Sequence, residues 1–238
     1  MKFSALTRIY TTSSIEKNQT INFTDDSLYH LKIALRMKIG EKFRIFNQTD
    51  GEYIAEINKI THNELSAKVG DLIRQVTHQR KLTLGMCIIK PDKVSQVLRS
   101  STELGITEFI PIISDRTQFK EINLTKLNKI IVQATEQSER FDVPVINQIM
   151  SLDNLVTARN YQQIIFANEE EPVKLIKDIK HWHNEVLLLI GPEGGFTNEE
   201  KQQLTGINNV ISVSLGKNVL RCETAALAGL ACINMMRD

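Results

Sequence analysis

Apolar and polar positions along this chain change rhythm near residue 74. From about Arg8 to Ile73 short apolar stretches alternate with turn residues. Phe43 to Phe46, a turn at Asp50-Gly51 and Tyr53 to Ile60 predict a β-hairpin, with Leu65 to Val69 as a further strand. One helical piece lies near Leu28 to Met37. Beyond the polar stretch Arg74 to Lys81, unbroken apolar runs alternate with amphipathic ones, the pattern of a largely parallel α/β sheet. The predicted strands are Leu82 to Ile89, Glu108 to Ile113, Gln163 to Ala167, Val186 to Ile190 and Val210 to Leu215. Helices are expected over Val94 to Leu104, closed by Gly105, over Leu124 to Phe141, and over Thr224 to Met236. The chain therefore reads as a small β domain over residues 1–73 and an α/β domain over residues 74–238.

The most specific segment is Val186 to Glu200, VLLLIGPEGGFTNEE. A buried strand is stopped by Gly191-Pro192, and Thr197 with Glu200 has the spacing of a capping box that opens a helix. The loop thus falls at the carboxyl end of a strand, where open α/β sheets bind ligands. It has neither the Lys of a phosphate cradle nor the GxGxxG of a dinucleotide fold, which disfavours a kinase or a nucleotide-dependent oxidoreductase. Glu193 among the glycines would repel a polyphosphate and suits a neutral or cationic ligand. The alternative is a plain tight turn at Gly194-Gly195. A second break, Gly216 followed by KNVLRCE, repeats the strand, loop and helix plan after Val210 to Leu215. Two such loops can line one pocket that reads a flat polar ligand such as adenine.

Composition adds limits. A chain of 238 residues with 42% hydrophobic residues can bury a sizeable core. A net charge of +1 gives no global case for nucleic acid, so local clustering must carry it. Cys87, Cys222 and Cys232 lack CxxC spacing, against a zinc site and consistent with a reducing cytoplasm. Neither a signal peptide nor an apolar run of membrane-spanning length is read from the sequence.

The local charge signal is His30 to Arg44, where Lys32, Arg36, Lys38, Lys42 and Arg44 face a single acid, Glu41. With Arg8 and Tyr10 nearby in sequence, this suits a phosphate backbone or a merely solvated face. Arg221 and Glu223 flank the last helix start, as a ligand-facing pair or as a salt-bridged loop with an acid favoured by the helix dipole. Gln133, Glu136, Gln137 and Arg140 form a polar stripe opposite the apolar face of their helix, a pattern that is usually solvated. The small residues Ala225, Gly229 and Cys232 allow close packing of the last helix on the sheet or on a partner. Cys222 reads as a buried small hydrophobe rather than a nucleophile, and His181 and His183 as a polar edge rather than a metal site.

Six motifs in order carry a resemblance. They are Arg8-Ile9-Tyr10; His30-Leu31 with Leu35-Arg36 and Gly40; Glu103-Leu104-Gly105 with Pro111 and Arg116; Glu136-Gln137-Ser138 with Arg140; IGPEGGFTNEE; and LGKNVLRCETA. Together the chain resembles the family of 16S ribosomal RNA uridine N3-methyltransferases, the ribosomal RNA small-subunit methyltransferase E family of the SPOUT superfamily. It departs from that pattern at Lys217-Asn218-Val219, where an Arg and an Ile are commoner.

The resemblance implies an α/β protein with an amino-terminal PUA-like β-barrel for RNA and a carboxyl-terminal SPOUT methyltransferase domain. It also implies a deep trefoil knot, although connection rules alone predict an unthreaded sheet. S-adenosylmethionine is the implied donor, 16S ribosomal RNA the implied substrate and a homodimer the implied form, beside the cytoplasmic location and lack of a metal expected from the composition and the His and Cys spacing. Cofactor contacts carry over to Phe166 and Ala167 with the loop after them, to Ile190, Gly191, Pro192, Glu193, Gly194 and Gly195, and to Leu215, Gly216, Asn218 and Leu220. Arg221 is expected to stabilise a uracil anion, with Glu223 or Glu136 taking the proton. Arg8, Lys32, Arg36 and Lys38 are expected to hold RNA, and Arg116 and Arg140 to hold RNA phosphates or a dimer interface.

Overall fold

Turn chemistry at Asn47 to Gly51 organises the first sheet. A computed structural model describes residues 6–77, 80–158, 161–168 and 174–237. Residues 78–79 of the polar stretch between the two patterns, and residues 169–173 of the loop after Ala167, lie outside the described residues. The chain divides into two compact units, Met1–His78 with Thr135–Asp142, and Gln79–Ala134 with Val143–Asp238.

In the first unit the strands are β1 (Arg8–Tyr10), β2 (Thr20–Phe23), β3 (Lys42–Asn47), β4 (Gly51–Ile60) and β5 (Leu65–Arg74). They form one sheet in the order β1-β3-β4-β5-β2, with β1 parallel to β3 and the other pairs antiparallel. The Asn47 side-chain oxygen accepts from the Thr49 and Asp50 amides, at 3.0 and 2.6 Å, folding the turn between β3 and β4. Gly51 closes it at φ 106°, where an added Cβ would meet the Arg74 carbonyl oxygen at 2.8 Å. Alternation then fills the core: Ile21 and Phe23 of β2 point inward beside Phe43, Ile45, Ala55 and Ile57.

The expected helical piece begins as α1 (Asp25–Tyr29) and widens into a π-helical turn, His30–Ala34. That turn carries Leu31 into the core at 0% exposure, and the Leu35 amide bonds to the His30 carbonyl at 2.9 Å. Arg36, at φ 54°, turns the chain out of it.

The remaining elements are β6 (Lys81–Cys87), α2 (Pro91–Glu103), β7 (Glu108–Ile113), α3 (Leu124–Gln137), β8 (Val145–Ile146), β9 (Met150–Ser151), α4 (Leu152–Ala158), β10 (Gln163–Ala167), β11 (Lys174–Leu175), β12 (Glu185–Ile190), α5 (Asn198–Thr205), β13 (Val210–Ser214) and α6 (Cys222–Arg237). The strands make one parallel sheet in the order β11-β13-β10-β12-β6-β7-β8, with β9 also on β7. Apolar clusters bury its two faces, one containing Val186 and Leu188 and the other Leu187 and Leu189. This is why β12 reads as an unbroken apolar run.

Helix boundaries shift from the expectation by a few residues, most of all at the end of α3. The helix from Leu124 ends at Gln137, not Phe141. Glu139 adopts φ 60°, and its carboxylate pairs with Arg44 at 2.8 Å and with Arg74 at 3.6 Å. Phe141 then turns edge-on to Phe46, with ring centroids 6.2 Å apart, inside the first unit.

Candidate active site

Three strands that lie side by side, β13, β10 and β12, deliver loops from their carboxyl ends to one cavity. After β12, Gly191 lies so close to the Phe196 ring that an added Cβ would sit 2.9 Å from it. The Gly195 amide bonds back to the Pro192 carbonyl at 2.9 Å, with Gly195 at φ 67°. Thr197 and Glu200 form the expected capping box, which starts α5 immediately after the loop. The Phe196 ring is buried and meets Phe166 of β10 edge-on, with centroids 5.5 Å apart.

After β13, the Ser214 hydroxyl closes the turn by donating to the Gly216 carbonyl at 2.8 Å and accepting from its amide at 3.2 Å. The Arg221 carbonyl takes the Ala225 amide at 2.8 Å, so Arg221 stands just outside the first turn of α6. After β10, Asn168 is buried, and its amide donates to the Val213 carbonyl at 2.9 Å.

The cavity has a volume of about 590 Å³, within the range of small-ligand sites. Of the residues singled out in the sequence, Phe166, Ala167, Ile190, Gly191, Pro192, Glu193, Gly195, Leu215, Gly216, Asn218, Leu220, Arg221 and Glu223 line it. Gly194 is not among them; its carbonyl instead accepts from the Arg116 guanidinium at 3.0 Å. Asn168, in the expected loop after Ala167, lines the cavity too, and sequence reading missed Lys90, Lys93, Phe196, Lys201 and Ser214, which also line it. Lys90 and Lys93 follow the carboxyl end of β6, a position that the strand, loop and helix pattern itself marks.

Charges here are mixed. Glu193 and Arg221 are exposed, whereas Cys222 is buried. The Glu223 carboxylate lies 3.4 Å from the Lys93 ammonium. Its own backbone N–H, and then Lys93, hold that carboxyl below the usual range. Cys87, buried in the same unit, has its thiol pushed up to about 12 by burial and is an inert packing residue.

The expected RNA contacts separate into two groups. Arg36, Lys38 and Arg116 are exposed, and the half-buried Lys32 donates its ammonium to the Thr61 carbonyl at 2.8 Å. Arg8 and Arg140 are corrections. They are only 4% and 6% exposed, which removes both from direct contact with a phosphate backbone. The Arg8 guanidinium donates to Glu52 at 2.8 Å and to the Thr135 and Arg140 carbonyls at 2.9 and 2.7 Å, and stacks 3.4 Å from the Phe46 ring centre. Burial brings both guanidinium pKa values down to about 10. Arg44, part of the basic run, is buried as well and pairs with Glu52 at 3.3 Å. Glu136 belongs to the first unit and is not a cavity residue; it accepts the Tyr10 amide at 2.9 Å, and burial raises its carboxyl pKa.

Comparison with known proteins shows the family of the chain. Residues 77–234 match the model of an RNA methyltransferase domain, and residues 23–70 that of an RNA methyltransferase PUA domain. The chain is 35% identical, over 96% of its length and 95% of the relative's, to ribosomal RNA small subunit methyltransferase E of Rickettsia conorii. It is 27% identical to the protein of the same name from Bacillus subtilis, over 96% of this chain and 94% of that one. Among solved structures, a Legionella pneumophila methyltransferase with bound S-adenosylmethionine superposes with a TM-score of 0.88 at 27% identity, covering 97% of each chain. A ribosomal RNA small subunit methyltransferase E from Neisseria gonorrhoeae, also bound to S-adenosylmethionine, gives 0.85 at 28% identity, again over 97% of each chain.

Proposed function

The chain belongs to the ribosomal RNA small-subunit methyltransferase E family, and we propose that it methylates N3 of a uridine in 16S ribosomal RNA, with S-adenosylmethionine as donor. The observation that carries this reading is the shared cavity, in which both glycine breaks meet Arg221 and Glu223 at the start of α6.

The residues present fit the donor. Most of the wall is loop backbone and apolar surface, suited to a nucleoside, and Glu193 is compatible with a cationic centre. Ile190 to Gly195 and Leu215 to Leu220 would hold the donor, and Lys90, Lys93 and Lys201 supply cations of the sign its carboxylate needs. When bound, the donor supplies an electrophilic methyl group. The protein must then place the base beside it and manage one proton.

Uracil N3 carries an imide proton that has to leave before nitrogen forms its new bond to carbon. Glu223 is assigned the proton and Arg221 the negative charge that spreads onto the uracil oxygens. Glu223 is preferred to Glu136 because it lines the cavity, which Glu136 does not. As the bond to nitrogen forms, the carbon–sulfur bond breaks and its electron pair returns to sulfur.

The same reading includes the trefoil knot, a homodimer and a cytoplasmic location. Support for a partner surface comes from α6, whose end exposes Met235 at 81% and Met236 at 36%. Cys87, Cys222 and Cys232 are free thiols, as a reducing compartment keeps them. Among the described residues, no helix is long and apolar enough to cross a membrane and no acid, His and Cys cluster suits a metal.

The test is transfer of labelled methyl to undermethylated small subunits, followed by mapping of the modified nucleotide. A methyl group on N3 of one uridine is expected, and one on any other base would overturn the assignment. Arg221→Ala should slow transfer by about 100-fold or more while leaving donor affinity nearly intact. Equal turnover would remove Arg221 from the chemistry.

A further inference from the structure

The connection between α1 and β3 keeps large apolar side chains in water. Tyr29 is 64% exposed, Ile33 50%, Leu35 40% and Ile39 63%. The segment is nevertheless pinned to its unit. Leu31 is buried in the core, Leu28 and Met37 pack against that core, and the Gly40 amide bonds to the Ile57 carbonyl at 2.8 Å. The Lys32 ammonium adds its bond to the Thr61 carbonyl. With these inward residues fixed, the outward ones are presented by construction.

Cations are interleaved with them. Arg36 and Lys38 are exposed, and no acid occurs from Tyr29 to Gly40. Tyr29 and Ile33 are four residues apart across the helical junction, the separation that puts side chains on one face. An exposed aromatic ring among aliphatic side chains, beside positive charge, complements a chain with an anionic backbone and accessible base faces. That is unpaired RNA, since a duplex hides its base faces in the stack.

We propose that the segment from Tyr29 to Ile39 holds a short unpaired stretch of RNA, with bases on Tyr29 and Ile33 and phosphates on Arg36 and Lys38. This rests on the reading of the protein as an enzyme of ribosomal RNA and adds the form of RNA that its first unit takes.

The full chain is titrated with a labelled oligouridine of about 12 nucleotides, a length within the range of single-strand sites, and with a duplex of equal length. The oligouridine should bind more tightly than the duplex. Tyr29→Ala combined with Ile33→Ser should weaken oligouridine binding by about 10-fold or more, and Tyr29→Phe should restore most of it when paired with native Ile33. Arg36→Gln should lower the slope of log affinity against log salt by about one.

Equal oligouridine affinity in wild type and the double variant overturns the segment's role while leaving the RNA substrate intact. Failure of wild type to bind either RNA at low salt also overturns the segment's role, whereas the enzyme reading fails only if methyl transfer to small subunits is absent. A double variant that converts a dimer into a monomer on sedimentation overturns the proposal in favour of a second copy of the chain. Retained melting temperature in the double variant establishes that lost affinity is not lost folding.

Discussion

Thr197 and Glu200 satisfy each other's backbone: the Glu200 amide donates to the Thr197 hydroxyl at 3.2 Å, and the Thr197 amide donates to the Glu200 carboxylate at 2.8 Å. The second oxygen of Glu200 takes the Asp115 amide at 2.9 Å. One carboxylate therefore fixes the start of α5 and the turn after β7. Thr197→Ala should cost about 1 kcal/mol, the usual value of a lost cap. Glu200→Ala should cost more, because the Asp115 amide also loses its acceptor. Urea unfolding of both variants checks the order, and a larger loss in Thr197→Ala would contradict it.

Glu52 is the hub of a buried cluster in the first unit. At 1% exposure it lies 2.8 Å from Arg8, 3.3 Å from Arg44 and 2.9 Å from Arg74. Glu52→Gln leaves three guanidinium groups without their central anion and should destabilise this unit by about 3–5 kcal/mol. Arg8→Met should cost less, since Glu52 keeps two cationic partners and the new side chain still covers Phe46. Denaturant titration followed by a probe in the first unit distinguishes the two; equal losses would show that packing, not charge, dominates.

Much of this fold is visible in local pattern, and most of what is hidden depends on residues far away in the chain. Strands β6, β10 and β12 are legible because both of their faces are buried, and the capping box and glycine breaks are short-range signals. The loop after β6 is marked by the same pattern, but that Lys90 and Lys93 reach this cavity is not legible, because it depends on the place of β6 next to β12 in the sheet order. Arg8 and Arg140 resemble phosphate contacts in the sequence because residue type does not reveal burial, and Glu52 stands 44 positions beyond Arg8. The end of α3 escapes local pattern for a related reason. Glu139 leaves the helix in a left-handed conformation beside Arg44, 95 positions earlier.

Glu136 gives a pH prediction with a definite sign. Burial raises its carboxyl pKa in the folded protein, the first cause of the shift, against the Tyr10 amide and Arg8, which lower it. The folded state thus holds the proton more tightly than the unfolded state, and this residue's contribution becomes less favourable as pH rises from 4.5 through the raised value. Glu136→Gln retains an oxygen for the Tyr10 amide and removes the charge. The variant should gain stability relative to wild type at pH 7, with the gain fading below pH 4.5. Urea titrations across that window measure it, and a gain that grew towards acid would reverse the assignment. Retained methyl transfer would also agree with Glu223 as the proton acceptor.

Gly191 and Phe196 set the tightest steric condition in the cavity wall. A Cβ on residue 191 would lie 2.9 and 3.0 Å from two ring atoms of Phe196, a ring that is 3% exposed and braced edge-on by Phe166. Such a ring cannot yield as the end of a flexible side chain does. Gly191→Ala must displace the end of β12 or turn the ring towards the cavity, and overpacking of this kind costs about 1–3 kcal/mol. Calorimetric titration with S-adenosylmethionine should therefore show affinity weaker by about 10-fold. Phe196→Leu added to Gly191→Ala removes the clash, so the double variant should bind more tightly than the sum of the two single losses allows. Additive losses would show that the glycine is needed for something other than the ring, and unchanged affinity in Gly191→Ala would place the donor away from this loop.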